Sequence, residues 1–253
     1  MRGAIAFCKY RCVEVREFLP GDAVWAAELM ERRRQEYARY SPVFWCPARD
    51  AMGPHARFLA RQVLADTGIA LRTDHGFITC QCRQGEGFVD DFAVEHAGIW
   101  GDDGVTLLLA MAERLSAIDE VSTIRVVTAH ADRPKVNMLS GLSLRLAEQW
   151  WVRELQPGFT QATSPGRVEG LGFSGIFAPA PPVYDPGGPV FLADRVAEDT
   201  ETAVVEREAA ALGAVLAVIP ASPGTVRASE LPRRGWTVAS DWYLGWPLAG
   251  PDD

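Results

Sequence analysis

Asp90, Asp91, Glu95 and His96 are four side chains within seven residues that could serve as a general base. A carboxylate or imidazole placed there accepts a proton from a nucleophile, directly or through a water. Strict alternation along a strand sends Asp90 and Asp91 to opposite faces of a sheet, unless a bulge intervenes. One of the two is then expected in any cleft, and each also has a plain reading as a strand-end carboxylate. The other reactive residues do not assemble. Cys80 and Cys82 share a strand face with His75 upstream, but zinc takes four ligands and no second cysteine pair completes the set. Cys8 and Cys12 lack the histidine and asparagine signature of a cysteine nucleophile. No metal site is expected.

The elements that must hold these groups follow from periodicity. Residues 13–18 alternate and predict a strand, closed by Leu19-Pro-Gly-Asp22, with Asp22 positioned to cap a helix from Ala23. An aromatic loop, Tyr37 to Trp45, leads to a second helix over residues 54–66. Three strands are predicted over residues 69–73, 77–83 and 88–94, separated by turn chemistry at Asp74-His-Gly76 and Gln84-Gly-Glu-Gly87. Leu107, Leu108, Met111 and Leu115 recur at helical spacing. A β-branched strand over 124–128, a helix over 134–140 and two strand candidates up to Leu155 complete the first part. Helices inserted into a mixed sheet define an α/β fold.

A Gly- and Pro-rich stretch, residues 156–187, reads as a linker between a first domain, 1–155, and an incomplete second unit, 188–253. Beyond it the pattern restarts. Residues 188–196 echo 87–94, a helix and the apolar strand 215–219 follow, and 235–244 echo 141–152. These parallels suggest an internal duplication of a βαβαββ half; chance similarity between two α/β segments is the plainer alternative.

Composition bounds the function classes. The chain has 253 residues, 48 % apolar and 23 % charged, with a net charge of −8. That balance argues against a nucleic-acid backbone or an anionic membrane as the main partner. Five cysteines, an odd number, and no signal-like start suggest reduced thiols in a cytoplasm.

In this order the first 155 residues resemble the GNAT superfamily of N-acetyltransferases. Val15-Arg-Glu-Phe-Leu-Pro-Gly-Asp22 resembles the family's first strand and turn, and Asp90-Asp-Phe-Ala-Val94 its central strand. Residues 130–142 have the length of its late helix and closing Gly-aromatic pair, with Leu142 in place of the aromatic. The resemblance implies a mixed sheet flanked by helices, with a partial C-terminal repeat. It also implies acetyl-CoA as cosubstrate and a primary amine of a small molecule as acceptor, attacking the thioester directly; a longer acyl-CoA suits the same pattern. Phe92, Ala93 and Val94 would then line the acyl group. Gly101 and Gly104 would approach the pyrophosphate at a helix N-terminus, with Arg133 nearby. Asp90, Asp91 and Glu95 are the implied bases, and Asn137 stands where many relatives place a tyrosine acid. The sequence departs from the family at the phosphate loop, where Asp102 and Asp103 bring like charge. These departures make a non-catalytic binding module of the same fold the alternative.

Overall fold

The computed structural model describes residues 13–118, 120–156, 164–198 and 200–246. Cys8, Cys12 and part of the expected linker, residues 157–163, lie outside them. In chain order the elements are β1 (Arg16–Glu17), α1 (Ala23–Tyr37), α2 (Met52–Val63), β2 (Gly68–Arg72), β3 (Gly76–Arg83), β4 (Glu86–Val89), β5 (Phe92–Val94) and α3 (Val105–Ser116). Then come β6 (Thr123–Ala129), α4 (Arg133–Gly141), β7 (Arg145–Glu154), β8 (Gly166–Gly170), β9 (Phe173–Ala178) and β10 (Val190–Val196). The last are α5 (Thr202–Ala211), β11 (Leu216–Ala221), α6 (Val226–Glu230) and β12 (Thr237–Gly245).

The strands form one sheet, in the order β1-β2-β3-β4-β6-β12-β7-β11-β10-β9-β8, with β5 paired to β3 alone. The order reads nearly the same from either end. β4 runs parallel to β6, and β10 parallel to β11. α3 makes one crossover and α5 the other, so β2–β7 and β8–β12 are two copies of one winding. Their final strands change places. β12 pairs with β6 of the first half, and β7 pairs with β11 of the second, all antiparallel. At the centre β7 and β12 pair with each other. The echoes in sequence fall on equivalent elements: residues 87–94 with β10, and 141–152 with β12.

Two stretches differ from the sequence reading. Residues 156–187 carry the β8–β9 hairpin. Their glycines mark tight packing: Gly172 turns at φ +78°, and a Cβ on Gly175 would come within 2.4 Å of the Leu192 carbonyl oxygen on β10. Residues 88–94 are not one strand. β3 pairs with β5 at a register offset by one residue from its pairing with β4, so a bulge falls at Asp90-Asp91.

α1 and α2 cover one face of the first half, with Phe77 and Ala93 in that core. α3 and α4 cover the other, over Ile78, Val89, Phe92 and Val126. In the second half α5 lies over Phe191, Ala217 and Ile219. The aromatic loop after α1 crosses the boundary. Phe44 packs edge-on to Trp150 of β7 at 6.4 Å, and Trp45 donates to the Ala239 carbonyl of β12 at 3.0 Å.

Because β6 and β7 of the first half meet only through β12, and β7 pairs with β11 on its other side, a chain ending at residue 155 leaves three strand edges unpaired, one on β6 and two on β7. Expressed alone, residues 1–155 should show no cooperative thermal transition. The full chain should unfold in a single transition, seen alike by calorimetry and tryptophan fluorescence. A cooperatively melting monomeric fragment would contradict this dependence.

Candidate active site

The bulge decides where the carboxylates go. Val89 and Phe92, three positions apart, both enter the α3–α4 core, so the two residues between them are displaced to the other side. Asp90 and Asp91 consequently line the same cavity, of about 700 Å³, beneath α1 and α2. Alternation alone would have separated them. Its wall is completed by Trp45 and Tyr184, on segments joined where Ala48 N–H donates to the Val183 carbonyl at 3.1 Å.

After the bulge, β5 leaves β6. β4 pairs with β6 only over Glu86–Val89 and Thr123–Val126, so Phe92 faces Val127–Ala129 across a gap, and the cavity runs into this gap. One side chain reaches into it from α4. Lys135, 3 % exposed, donates from Nζ to the Phe92 carbonyl at 3.0 Å and sits 4.9 Å from the Phe92 ring centroid.

The charges here are ordered by partners. Asp91, 8 % exposed, accepts from His55 Nε2 at 3.0 Å. His55 Nδ1 lies 3.2 Å from Arg34 Nη1. A guanidinium only donates, so Nδ1 accepts and the ring's N–H points at Asp91. Burial pushes the Asp91 carboxyl up, but His55, Arg34 and Lys135 outweigh it and hold the group below its ordinary range. Asp90 moves the other way: burial and the neighbouring Asp91 raise it from 3.8 to about 6, against a smaller pull from Arg83. Burial takes Lys135 down to about 7, helped by Arg33 and opposed by Asp132 and Asp91. Arg33 and Tyr37 both bind Asp132, at 2.5 and 2.8 Å, and fix the start of α4 beneath α1.

The structure brings Asp90, Asp91 and Phe92 to the cavity and leaves other sequence candidates outside it. Ala93 points under α1 and α2, and Val94 into the α3 core. Glu95 is exposed, 3.0 Å from His75. Asn137 and Arg133 lie on the solvent side of α4. Gly101 is exposed, and Gly104 is packed so that a Cβ would meet Trp100 at 2.6 Å. The expected phosphate loop is helical: a 3-10 turn, Ala97–Ile99, and a π-helical turn, Trp100–Gly104, run into α3. Trp100 is 1 % exposed and packs edge-on to Phe92 at 5.0 Å. Asp103 is buried and accepts from Thr73 Oγ1 at 2.6 Å. It ties α3 to the end of β2. His55 and Arg34 were not legible as site residues; Lys135, one of only two lysines in an arginine-rich chain, is a candidate to offset the charge of Asp102 and Asp103, and the structure sets it on the Phe92 carbonyl instead.

No family model matches the chain, and no curated protein matches it in sequence. Solved structures match its fold. A candidate acetyltransferase from Thermoplasma acidophilum superposes with a TM-score of 0.60 at 11 % identity, over 91 % of this chain and 98 % of that one. A GCN5-related N-acetyltransferase from Sphaerobacter thermophilus gives 0.54 at 11 % identity, over 96 % and 99 %. A candidate acetyltransferase from Pyrococcus horikoshii gives 0.53 at 11 % identity, over 97 % and 93 %. The chain has the GNAT fold. Both its halves fall within these matches. Among the described residues no helix is long and apolar enough to cross a membrane.

Removing the Asp103 carboxylate leaves the buried Thr73 hydroxyl only the Gly76 carbonyl, a long 3.4 Å away, as acceptor. Asp103→Ala should cost about 1–3 kcal/mol, lowering the melting temperature by roughly 2–4 °C per kcal/mol. An unchanged melting temperature would mean that this bond holds nothing.

Proposed function

We propose that the protein is an N-acyltransferase that moves an acetyl group from acetyl-CoA to a primary amine of a small molecule, in the cavity of the first half. The observation that carries this reading is the gap beside β5. A strand paired on one side only offers its other backbone edge to a ligand, and two carboxylates line the cavity that opens there. The acyl end of a thioester fits that edge. The phosphate end is not matched by the turn before α3, where Asp102 and the buried Asp103 occupy the first helical residues, so the phosphates must find other partners.

The thioester supplies an activated carbonyl and a thiolate leaving group. Of Phe92–Val94, the backbone N–H groups of Phe92 and Val94, which alternation turns away from β3, are the donors for the charge that develops on that carbonyl oxygen; that of Ala93 is taken up by Phe77. Asp91, held ionised by His55, attracts the acceptor's ammonium. Asp90, at about 6, is ionised at neutral pH yet basic enough to take the ammonium's proton, directly or through water. Lys135, at about 7, holds a proton that it can give to the departing thiolate. Asn137 has no such proton to give.

The rate should therefore rise with pH through about 6, as Asp90 ionises, and fall above about 7, as Lys135 loses its proton. Asp90→Asn should lower transfer roughly 10²- to 10⁴-fold and remove the lower limb. The same change should stabilise the protein at pH 7. The raised pKa means that the folded state keeps this proton up to about 6 and the unfolded chain only to 3.8. Asp90 therefore costs stability progressively between those values and fully above them, so the gain should vanish near pH 3.

The direct test is calorimetric titration with acetyl-CoA at physiological salt, followed by thiol release with a panel of amines. Micromolar binding with amine-dependent release supports the reading. A second reading, a binding module of the same fold, is favoured by the Lys135 ammonium on the Phe92 carbonyl and the acidic turn before α3. It predicts no acetyl-CoA binding at millimolar concentration, and a gain of binding in the double variant Asp102→Asn with Lys135→Met.

A further inference from the structure

The cavity carries two charges that this chemistry does not use. Arg57 and Arg61 line it from α2, one helical turn apart and therefore neighbours on the same face. Both are exposed. Their helix, MGPHARFLARQV, contains no acidic residue. Among the described residues neither guanidinium has a hydrogen-bond or ion-pair partner. The cavity's inner arginine is different: Arg34 is 1 % exposed and held by Glu31 at 3.3 Å. In a chain of net charge −8, two unneutralised cations at the rim of an acid-lined cavity reverse the local field. Between them on the helix, Phe58 also lines the cavity and stacks on His55, with ring centroids 6.2 Å apart.

We infer that the acceptor is a zwitterion: an amine that also carries a carboxylate, with its ammonium at Asp90 and Asp91, its carboxylate at Arg57 and Arg61, and its apolar stem along Phe58. This rests on reading the cavity as the acceptor site of an acyltransferase. Two carboxylates alone would select a plain amine or diamine. The adjacent guanidinia add a fork suited to a carboxylate. Acyl-CoA phosphates are the other source of negative charge that these arginines could meet, and the experiment separates the two.

The full chain is titrated calorimetrically with a series of straight-chain ω-amino acids and with the alkylamines and diamines of matching length. The same compounds are then assayed as acceptors. The expected result is an amino acid that binds at least about tenfold more tightly than its matched amine, a difference of about 1.4 kcal/mol. In the double variant Arg57→Gln with Arg61→Gln that preference should disappear, with the amine's affinity and the KM for acetyl-CoA unchanged. Equal affinity for amino acid and amine in the natural protein overturns the inference, as does the absence of binding by any amino acid in the series. A rise in KM for acetyl-CoA in the double variant also overturns it and assigns the arginines to phosphates. Failure of acetyl transfer to every amine would instead count against the acyltransferase reading, while the calorimetry still decides whether the cavity takes a zwitterion.

Discussion

The antiparallel pairing of β7 with β12 is the interaction on which both halves depend. Each strand completes the sheet of the half from which it does not come, so neither sheet is continuous without the other. The pairing is reinforced on both faces. Trp150 and Trp242 pack at 5.0 Å. Asp241, 2 % exposed, accepts from Gln149 of β7 at 2.9 Å and bonds His130, just after β6, at the same distance. A buried carboxylate with two partners fixes register, because a one-residue slip would strand it unpaired in the core. The loop that supplies Trp45 to the cavity is anchored on β12 too, so the geometry of the first half's site is set partly by the last strand of the second.

The two halves put the same device to different uses. Both parallel crossovers follow a bulge with an acidic residue in it, Asp90-Asp91 in the first half and Asp194 in the second, where β10 slips against β9. In the first half the carboxylates face a cavity and their affinities for protons are driven apart. In the second, Asp194 is exposed and bonded by Ser174 at 2.6 Å and Arg167 at 2.5 Å, which hold its pKa down. Arg227 at the start of α6 donates to the carbonyls of Ala197 and Thr200, closing the turn that leads into α5. A carboxylate neutralised at the surface has little basicity left to use.

Much of the architecture could be read from the residues. Alternation and turn chemistry located β2, β3, β6, β11 and β12, and helical spacing located α3. The echo between residues 87–94 and 188–196 was real at the level of topology. What the sequence hid was non-local or contrary to the local rule. An insertion of β12 between β6 and β7 leaves no trace in either strand's pattern, because a buried strand looks the same whichever neighbour it has. The bulge at Asp90-Asp91, which the family resemblance implies, interrupts a run that alternation alone reads as one strand. The glycines of the β8–β9 hairpin suggested looseness, whereas they serve close backbone approach. His55 and Lys135 stood apart in sequence from the carboxylates they face, and only the fold sets them beside one another. The turn from Trp100 to Gly104 carried the glycines of a ligand loop, but its tryptophan is drawn into the core and winds it into helix.

The placement of β12 also sets an order on synthesis. His130 and Asp241, which meet across it, are 111 residues apart in the chain. When β6 and β7 leave the ribosome they carry apolar surface and open hydrogen-bonding edges, and the strand that belongs between them has not yet been made. The first half must wait, loosely collapsed, while the whole second half is translated. Pairings at such distance fold slowly and leave sticky intermediates. The arrangement that welds the halves together in the finished molecule thus makes the nascent chain a natural client for chaperones.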